Sequence, residues 1–276
     1  MKNIKIYIAI ILAVLGLLGC NLKKEIDLNL PPYKSQYLVE CYLIPGKKYR
    51  LLLSQSTSIQ NEIPLNPLVF ATARIYHNND TIVLDDFPEV DQKYSKFYNY
   101  TANEIVEYDT VHPYYLEIKI QNTDVVLRAQ TKFLRKPKVN PIIISTRNDL
   151  DFSLNVSTQD VDPTQINYYM FQIMDSSDVY DLESRPRNRS YLDDRLISNN
   201  NVGIYTSFKY GFGEAIIAKI YHLTPEHYEF LTSIDEAQNA NGNPFGRPTF
   251  VSGNVSGGVG IFTSINHDEK SMTIGH

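Results

Sequence analysis

Tryptophan is absent from this 276-residue chain and cysteine nearly so, with Cys20 and Cys41 the only two. Two thiols cannot supply a disulfide framework, so a buried apolar core must hold the fold. Basic charge is also short, with 26 Lys and Arg against 31 Asp and Glu. That balance argues against a nucleic-acid partner, because such binding is driven by basic surfaces that release counterions. The apolar run Ile6 to Leu18 falls short of the roughly 20 residues that a comfortable transmembrane helix needs. What the chain does have is 20 Tyr and 12 Phe within an ordinary folded-protein balance of 43% hydrophobic and 21% charged residues. Aromatic side chains fit a pleated, half-buried surface, which points to a protein built on strands. The length permits one large domain or two small ones.

The N-terminus reads as an address and an anchor. A short basic region, Met1 to Lys5, precedes the apolar run, and the run ends in Leu17-Leu18-Gly19-Cys20. This order resembles the lipobox of bacterial lipoproteins, with a small residue before the cleavage point and an acylated Cys20 after it. Residues 1–20 are then a lipoprotein signal peptide and 21–34 a tether. Removing Lys2 and Lys5 with the leader leaves 24 basic against 31 acidic residues, a net charge of −7. Each buried lipid CH₂ contributes about 0.8 kcal/mol, so the two or three chains of such an anchor hold durably to a bilayer where one would not. Residue 21 is Asn and not the Asp that resembles an inner-membrane retention signal, which directs the expectation to the outer membrane, with the leaflet open.

Beyond Pro31-Pro32, apolar and β-branched runs recur with turn punctuation: Tyr37 to Ile44, Arg50 to Ser54, Val69 to Tyr76, Thr81 to Leu84, Tyr114 to Ile120 and Val125 to Phe133. Pro45-Gly46 and Asn78-Asn79-Asp80 have the turn chemistry that closes hairpins. These features predict an antiparallel β-sandwich of immunoglobulin, carboxypeptidase-regulatory or fibronectin-III type over 35–136. Arg135 to Pro141, broken twice by proline, reads as a linker. A second sandwich is expected over 137–276, with strands at Asp151 to Ser157, Tyr168 to Met174, Ile204 to Phe208 and Glu214 to Leu223, and a long charged surface loop over 175–202. One helix is well signalled: Thr224 can cap it, Pro225 suits its first position and Glu226 complements its dipole. Leu223 and Tyr228 fit a hydrophobic staple, and Tyr228, Leu231, Ile234 and Ala237 supply an apolar face, ending around Asn239 to Gly242.

The C-terminal part holds six of the thirteen glycines between 242 and 260. Asn243-Pro244-Phe245 leads to Asn254-Val255-Ser256-Gly257-Gly258-Val259-Gly260-Ile261-Phe262, which reads as a loop needing positive φ or close backbone approach and then a final strand. Asn243, Pro244, Phe245, Asn254, Gly257, Gly258 and Gly260 are accordingly read as a structural motif. With the lipobox, Glu25-Ile26-Asp27-Leu28, Leu38-Val39-Glu40, Asn167-Tyr168-Tyr169 and the Tyr-rich helix, this passage resembles a Gram-negative lipoprotein family known as domain of unknown function 4249. The resemblance spans nearly the whole mature chain. It implies genes beside TonB-dependent receptors and no established chemistry.

No catalytic set is legible. The six His show no i, i+4 pair and none sits beside a Cys, so no zinc site is expected, and His222 and His227 read as surface or capping residues. No Lys-Ser or Lys-Thr follows the glycines, which excludes a phosphate loop, and Ser256 sits one position late for a nucleophile elbow. Asp160 with Asp162, or Asp178 with Asp181 and Glu183, lack the Gly and terminal Glu of a calcium loop and read as solvated turns. Cys41 alternates with Val39 and Leu43 and reads as a buried small hydrophobe. The remaining feature is the aromatic stretch Phe97, Tyr98, Tyr100, Tyr108, Tyr114 and Tyr115, in which Tyr98, Tyr100 and Tyr108 are the candidate partner anchors. The expectation is a non-catalytic accessory or binding subunit of a TonB-dependent receptor system, without metal or cofactor. The alternative is a surface glycan-binding lipoprotein of a polysaccharide-utilisation system, which the lack of Trp weakens.

Overall fold

The computed structural model describes residues 35–57, 66–92, 95–148, 151–175, 189–195, 197, 200–240 and 250–275. Leu17 to Cys20, the tether, Asp178, Asp181, Glu183, and Asn243 to Phe245 lie outside the described residues.

Alternation of buried and solvent-facing positions builds the first sandwich. Its first sheet joins β1 (Tyr37–Leu43) and β2 (Lys48–Gln55), with β3 (Asn66–Pro67) and β8 (Tyr100–Ile105) both paired to β2. The facing sheet runs β10 (Val126–Thr131), β9 (Tyr114–Ile120), β4 (Ala71–His77), β5 (Asp80–Leu84). A ribbon of β6 (Glu89–Asp91) and β7 (Lys96–Tyr98) flanks them. Val39, Cys41, Leu43, Leu51 and Leu53 point inward from one sheet, and Ala73, Ile75, Leu116 and Ile118 from the other. Each fully buried aliphatic chain stabilises by about 1.5–3 kcal/mol, which makes this core the main cohesive term. Both expected hairpins form, and their corners need left-handed backbone at Gly46 (φ 78°) and Asn78 (φ 53°).

The second sandwich sets a three-stranded sheet, β11 (Ile143–Asn148), β12 (Asp151–Gln159) and β15 (Asn201–Tyr205), against a four-stranded one. The latter runs β14 (Arg189–Asp193), β13 (Tyr168–Asp175), β16 (Ala215–Leu223), β18 (His267–Thr273). This seven-strand division, three against four, is that of an immunoglobulin- or fibronectin-III-like sandwich. Phe152, Leu154, Val156, Tyr169, Phe171, Ile216 and Ile220 fill it. The polar stretch expected as one surface loop contains β14, because Tyr191 and Leu192 supply enough apolar surface for Arg189–Asp193 to pair with β13.

The helix α1 (Pro225–Ala240) begins where the capping residues place it. Thr224 Oγ1 accepts the amide of His227 at 3.3 Å, and the Thr224 carbonyl accepts that of Tyr228 at 3.0 Å. The buried positions are His227, Phe230, Leu231 and Ser233, so the face against the protein is rotated from the expected Tyr228-Leu231-Ile234-Ala237 stripe. The reason is that α1 is wedged between elements, touching both β13 and β17 (Val259–Ser264). It closes a third core in which Phe230 and Leu231 meet Ile261, Ile265, Met170 and Tyr221.

The C-terminal motif does not stay with the second sandwich as expected. β17 adds to the first sheet, parallel to β1, with Leu38 opposite Val259 and Cys41 opposite Phe262. The chain then returns to the second sandwich as β18, so residues 137–276 contribute a strand to the first core. Hydrogen-bond demand drives this, because β1 would otherwise present an unpaired edge.

Candidate functional site

A cleft of about 480 Å³ opens where the two sandwiches meet, between the ends of β9 and β10 on one side and the starts of β13 and α1 on the other. Tyr115, Gln130 and Lys132 line it from the first sandwich, and Gln165, Tyr168 and Glu226 from the second. At its base lies Asn167, the first residue of the Asn-Tyr-Tyr triplet. Its side-chain amide donates to Asp160 Oδ1 at 2.9 Å, the Asp162 carbonyl at 2.7 Å, the Gln165 carbonyl at 2.9 Å and Asp194 Oδ2 at 2.8 Å. Its backbone amide donates to both Asp194 oxygens at 3.0 Å. Tyr169 completes the set by donating its hydroxyl to Asp160 at 3.1 Å.

His222 ties this cluster to the linker. Its Nδ1 donates to the Arg135 carbonyl at 2.9 Å, its Nε2 faces Asn167 Oδ1 at 3.1 Å, and its ring stacks on Tyr169 at 5.3 Å. Both nitrogens face acceptor oxygens, so both contacts are complete only for an imidazolium. Burial works against that charge and lowers the His222 pKa, while the Arg135 carbonyl and the carboxylates of Asp160, Asp194 and Asp162 pull it back up. The arrangement positions a turn and a linker; both nitrogens are already engaged.

His222 and His227 are thus corrections to the surface or capping role expected of them. His227 is wholly buried, neither ring nitrogen has a partner among the described residues, and desolvation pushes its pKa down to about 3. Helical position alone could not reveal this, because the second surface that buries it belongs to β1, where Tyr42 lies 6.1 Å away.

A second polar group was equally invisible to spacing. The register of β4 with β9 sets His77 against Tyr114, ring on ring at 3.7 Å, and brings it to Asp109 at 3.4 Å. His112 reaches the same carboxylate oxygen at 2.7 Å. Asp109 is held down at a pKa of about 2, first by the His112 bond and then by the Val111 amide. A depressed carboxylate adds stability that is present above its ordinary value of 3.8 and disappears as pH falls through about 2. Wild type should therefore lose melting temperature between those limits more steeply than Asp109→Asn; parallel profiles would remove Asp109 from the acid transition. Among the described residues no three His, Cys, Asp or Glu converge to hold a metal ion. Asp162 is occupied in its own turn, accepting from the Thr164 amide and hydroxyl.

The aromatic candidates divide. Tyr98 and Tyr100 are buried, which corrects their expected role as exposed anchors. The Arg50 guanidinium lies 4.5 Å over the Tyr98 ring, and the Tyr100 hydroxyl accepts the Ala71 amide at 3.1 Å. Tyr108 is half exposed, but its hydroxyl donates to the Leu134 carbonyl and accepts the Lys136 amide, both at 3.1 Å, strapping its loop to the linker. Three exposed apolar side chains lie on segments bonded to the buried tyrosines or their strands. Phe70 precedes the Ala71 amide held by Tyr100, and the Phe87 carbonyl accepts from Thr101. Phe70 is 68% exposed, Phe87 65% and Val90 59%. Sequence reasoning missed them because an isolated Phe in a loop has no periodicity to betray its direction.

Within the glycine-rich motif, Asn254 takes the place of a strand partner. Its amide donates to the Phe262 carbonyl at 2.8 Å and to the Gln130 carbonyl at 3.0 Å, and its oxygen accepts the Phe262 amide at 2.9 Å. Gly257 (φ 83°) and Gly260 (φ 115°) hold left-handed backbone, and a Cβ on Gly258 would come to 2.8 Å from the Tyr37 carbonyl oxygen. These residues seat β17 between β1 and β10.

Strand topology and the cleft together define a mainly β protein of two packed sandwiches, the second fibronectin-III-like. The chain belongs to the family described as Domain of unknown function (DUF4249), whose model matches residues 23–271. Among solved structures, the crystal structure of the chicken CNTN1 FN1-FN3 domains is similar over 70% of this chain, with 10% identity and a TM-score of 0.23. The chain spans 62% of that structure's length. No curated protein matches it.

Proposed function

We propose that the protein is a non-catalytic binding subunit, held at the outer membrane by acylated Cys20, that serves a TonB-dependent receptor. The observation that carries the binding role is the exposure of Phe70, Phe87 and Val90, large side chains kept in solvent on two loops and on β6, next to segments that buried Tyr98 and Tyr100 brace. Exposed aromatics on a rigid base are what a protein partner uses as anchors, with polar surroundings such as Asp86 and Glu89 as rim. The lipobox order and the receptor association implied by the family resemblance support the location and the partner. The glycan-binding alternative draws on the cleft, where Tyr115 and Tyr168 accompany the amides of Gln130 and Gln165. Sugar sites combine such stacking faces with planar hydrogen-bonding groups.

The test is co-purification from membranes after mild solubilisation. A TonB-dependent receptor should accompany wild type and be lost, by tenfold or more, from the Phe70→Ser/Phe87→Ser double variant, while Cys20→Ser should lose the membrane itself. Absence of any receptor with the wild type, together with retention on a polysaccharide affinity gel that Tyr115→Ala abolishes, would put the glycan reading in its place.

A further inference from the structure

The outer face of the first sheet is only partly covered by α1. Pairing of β1 with β17 sends Val39, Cys41 and Phe262 into the first core and turns Leu38, Glu40 and Ile261 outward. On β2 the same alternation buries Leu51 and Leu53 and turns Leu52 and Ser54 outward, toward the helix. The first half of α1 presses Phe230 onto Ile261. Its second half offers Ile234 and then the small Ala237, and these do not fill the space above Leu38 and Leu52. A pocket of about 430 Å³ remains, walled by Phe230, Ile234 and Ala237 above and by Leu38, Leu52 and Ser54 below.

Two properties of this pocket indicate its occupant. Its walls are mainly apolar, and the one carboxylate among its described lining residues, Glu40, is already engaged by Lys96 at 2.9 Å. Ser54 is 1% exposed and its hydroxyl has no hydrogen-bond partner among the described residues. Leaving a buried hydroxyl unpaired costs about 1–3 kcal/mol, a penalty that a ligand with one matching polar atom would remove. The volume is in the range of small-molecule sites and too small to admit a protein element such as a helix about 10 Å across. We infer that this pocket binds a small uncharged amphiphile, whose alkyl or aryl body lies between α1 and the sheet and whose single polar group hydrogen-bonds Ser54. Its lining includes none of Phe70, Phe87 and Val90 and shares no residue with the inter-sandwich cleft.

The test uses N-phenyl-1-naphthylamine, a neutral aryl amine with one N–H, whose fluorescence rises when it leaves water. With the full chain, a saturable one-to-one signal is expected above that of Ala237→Trp measured under identical lipid or detergent, which serves as the blank because the indole fills the pocket. Ser54→Ala should weaken binding about threefold to tenfold, the worth of one hydrogen bond. Ser54→Leu, which fills the space from the sheet side, should abolish it and covers the case in which Ala237→Trp fails to fold. Equal signals from wild type and both filled variants, or no saturable signal from wild type, would overturn the assignment.

Discussion

Gly260→Ala is expected to lower the melting temperature far more than Gly213→Ala, although both glycines hold positive φ, at 115° and 84°. At Gly213 an added Cβ meets nothing within 4 Å, so the cost is the conformational strain alone, about 1–2 kcal/mol. At Gly260 the Cβ would overlap the Val39 carbonyl and the backbone of β1 around it. The strand cannot yield, because Val39 lies in the first core and pairs with Leu53 on its other side. Strain and overlap together should exceed about 4 kcal/mol, which at roughly 2–4 °C per kcal/mol is a loss of 8 °C or more. The damage should appear in both sandwiches, since β17 lies in the first and its neighbours α1 and β18 pack on the second. Equal, small shifts for the two variants would mean that the β1–β17 pairing is not formed in solution.

Asn167→Asp is the second large effect. The Asn167 amide donates to the carboxylates of Asp160 and Asp194, and its replacement puts a third carboxylate where a donor stood. The new oxygen also faces the Asp162 and Gln165 carbonyls, so acceptor meets acceptor at four contacts. Asn167 is 2% exposed, which leaves little solvent to screen the repulsion. A loss of about 3–5 kcal/mol near neutral pH is expected, the cost of an uncompensated buried charge. The introduced carboxyl has a raised folded pKa, so the penalty is full at high pH and is relieved as pH falls toward the unfolded value of about 4. Asn167→Ala, which removes the donor without adding charge, should be destabilised without that recovery. Thermal melts of the two variants from pH 8 to pH 4.5 decide it, and parallel curves would show that the turn is held by backbone bonds alone.

How much of this was legible from the residues differs by element. Tyr114 to Ile120 was readable to the residue as β9, because alternation reports directly which side chains face the core. Thr224-Pro225-Glu226 announced α1 for the same reason, its capping chemistry being local. Short strands such as β7 and β14 were missed, since three to five residues hold too little pattern and their pairing is decided by a neighbour elsewhere in the chain. Tyr98 and Tyr100 were read outward because aromatic density carries no direction; the Arg50 guanidinium and the Ala71 amide are what turn them in.

Composition, alternation and local capping by themselves determined that this chain is mainly β, where most long strands run, where the helix starts and that the C-terminal glycines serve a tight backbone. Each of these follows from interactions within a few residues. Only the tertiary structure decided that β17 crosses to pair with β1, that His222, Asn167 and Asp194 meet beneath a cleft, that His227 is sealed between α1 and β1, and that Ser54 has no partner among the described residues beside an apolar pocket. Those outcomes depend on which surfaces meet across separations of tens to hundreds of residues, and no periodicity along one strand encodes the identity of the surface that will cover it.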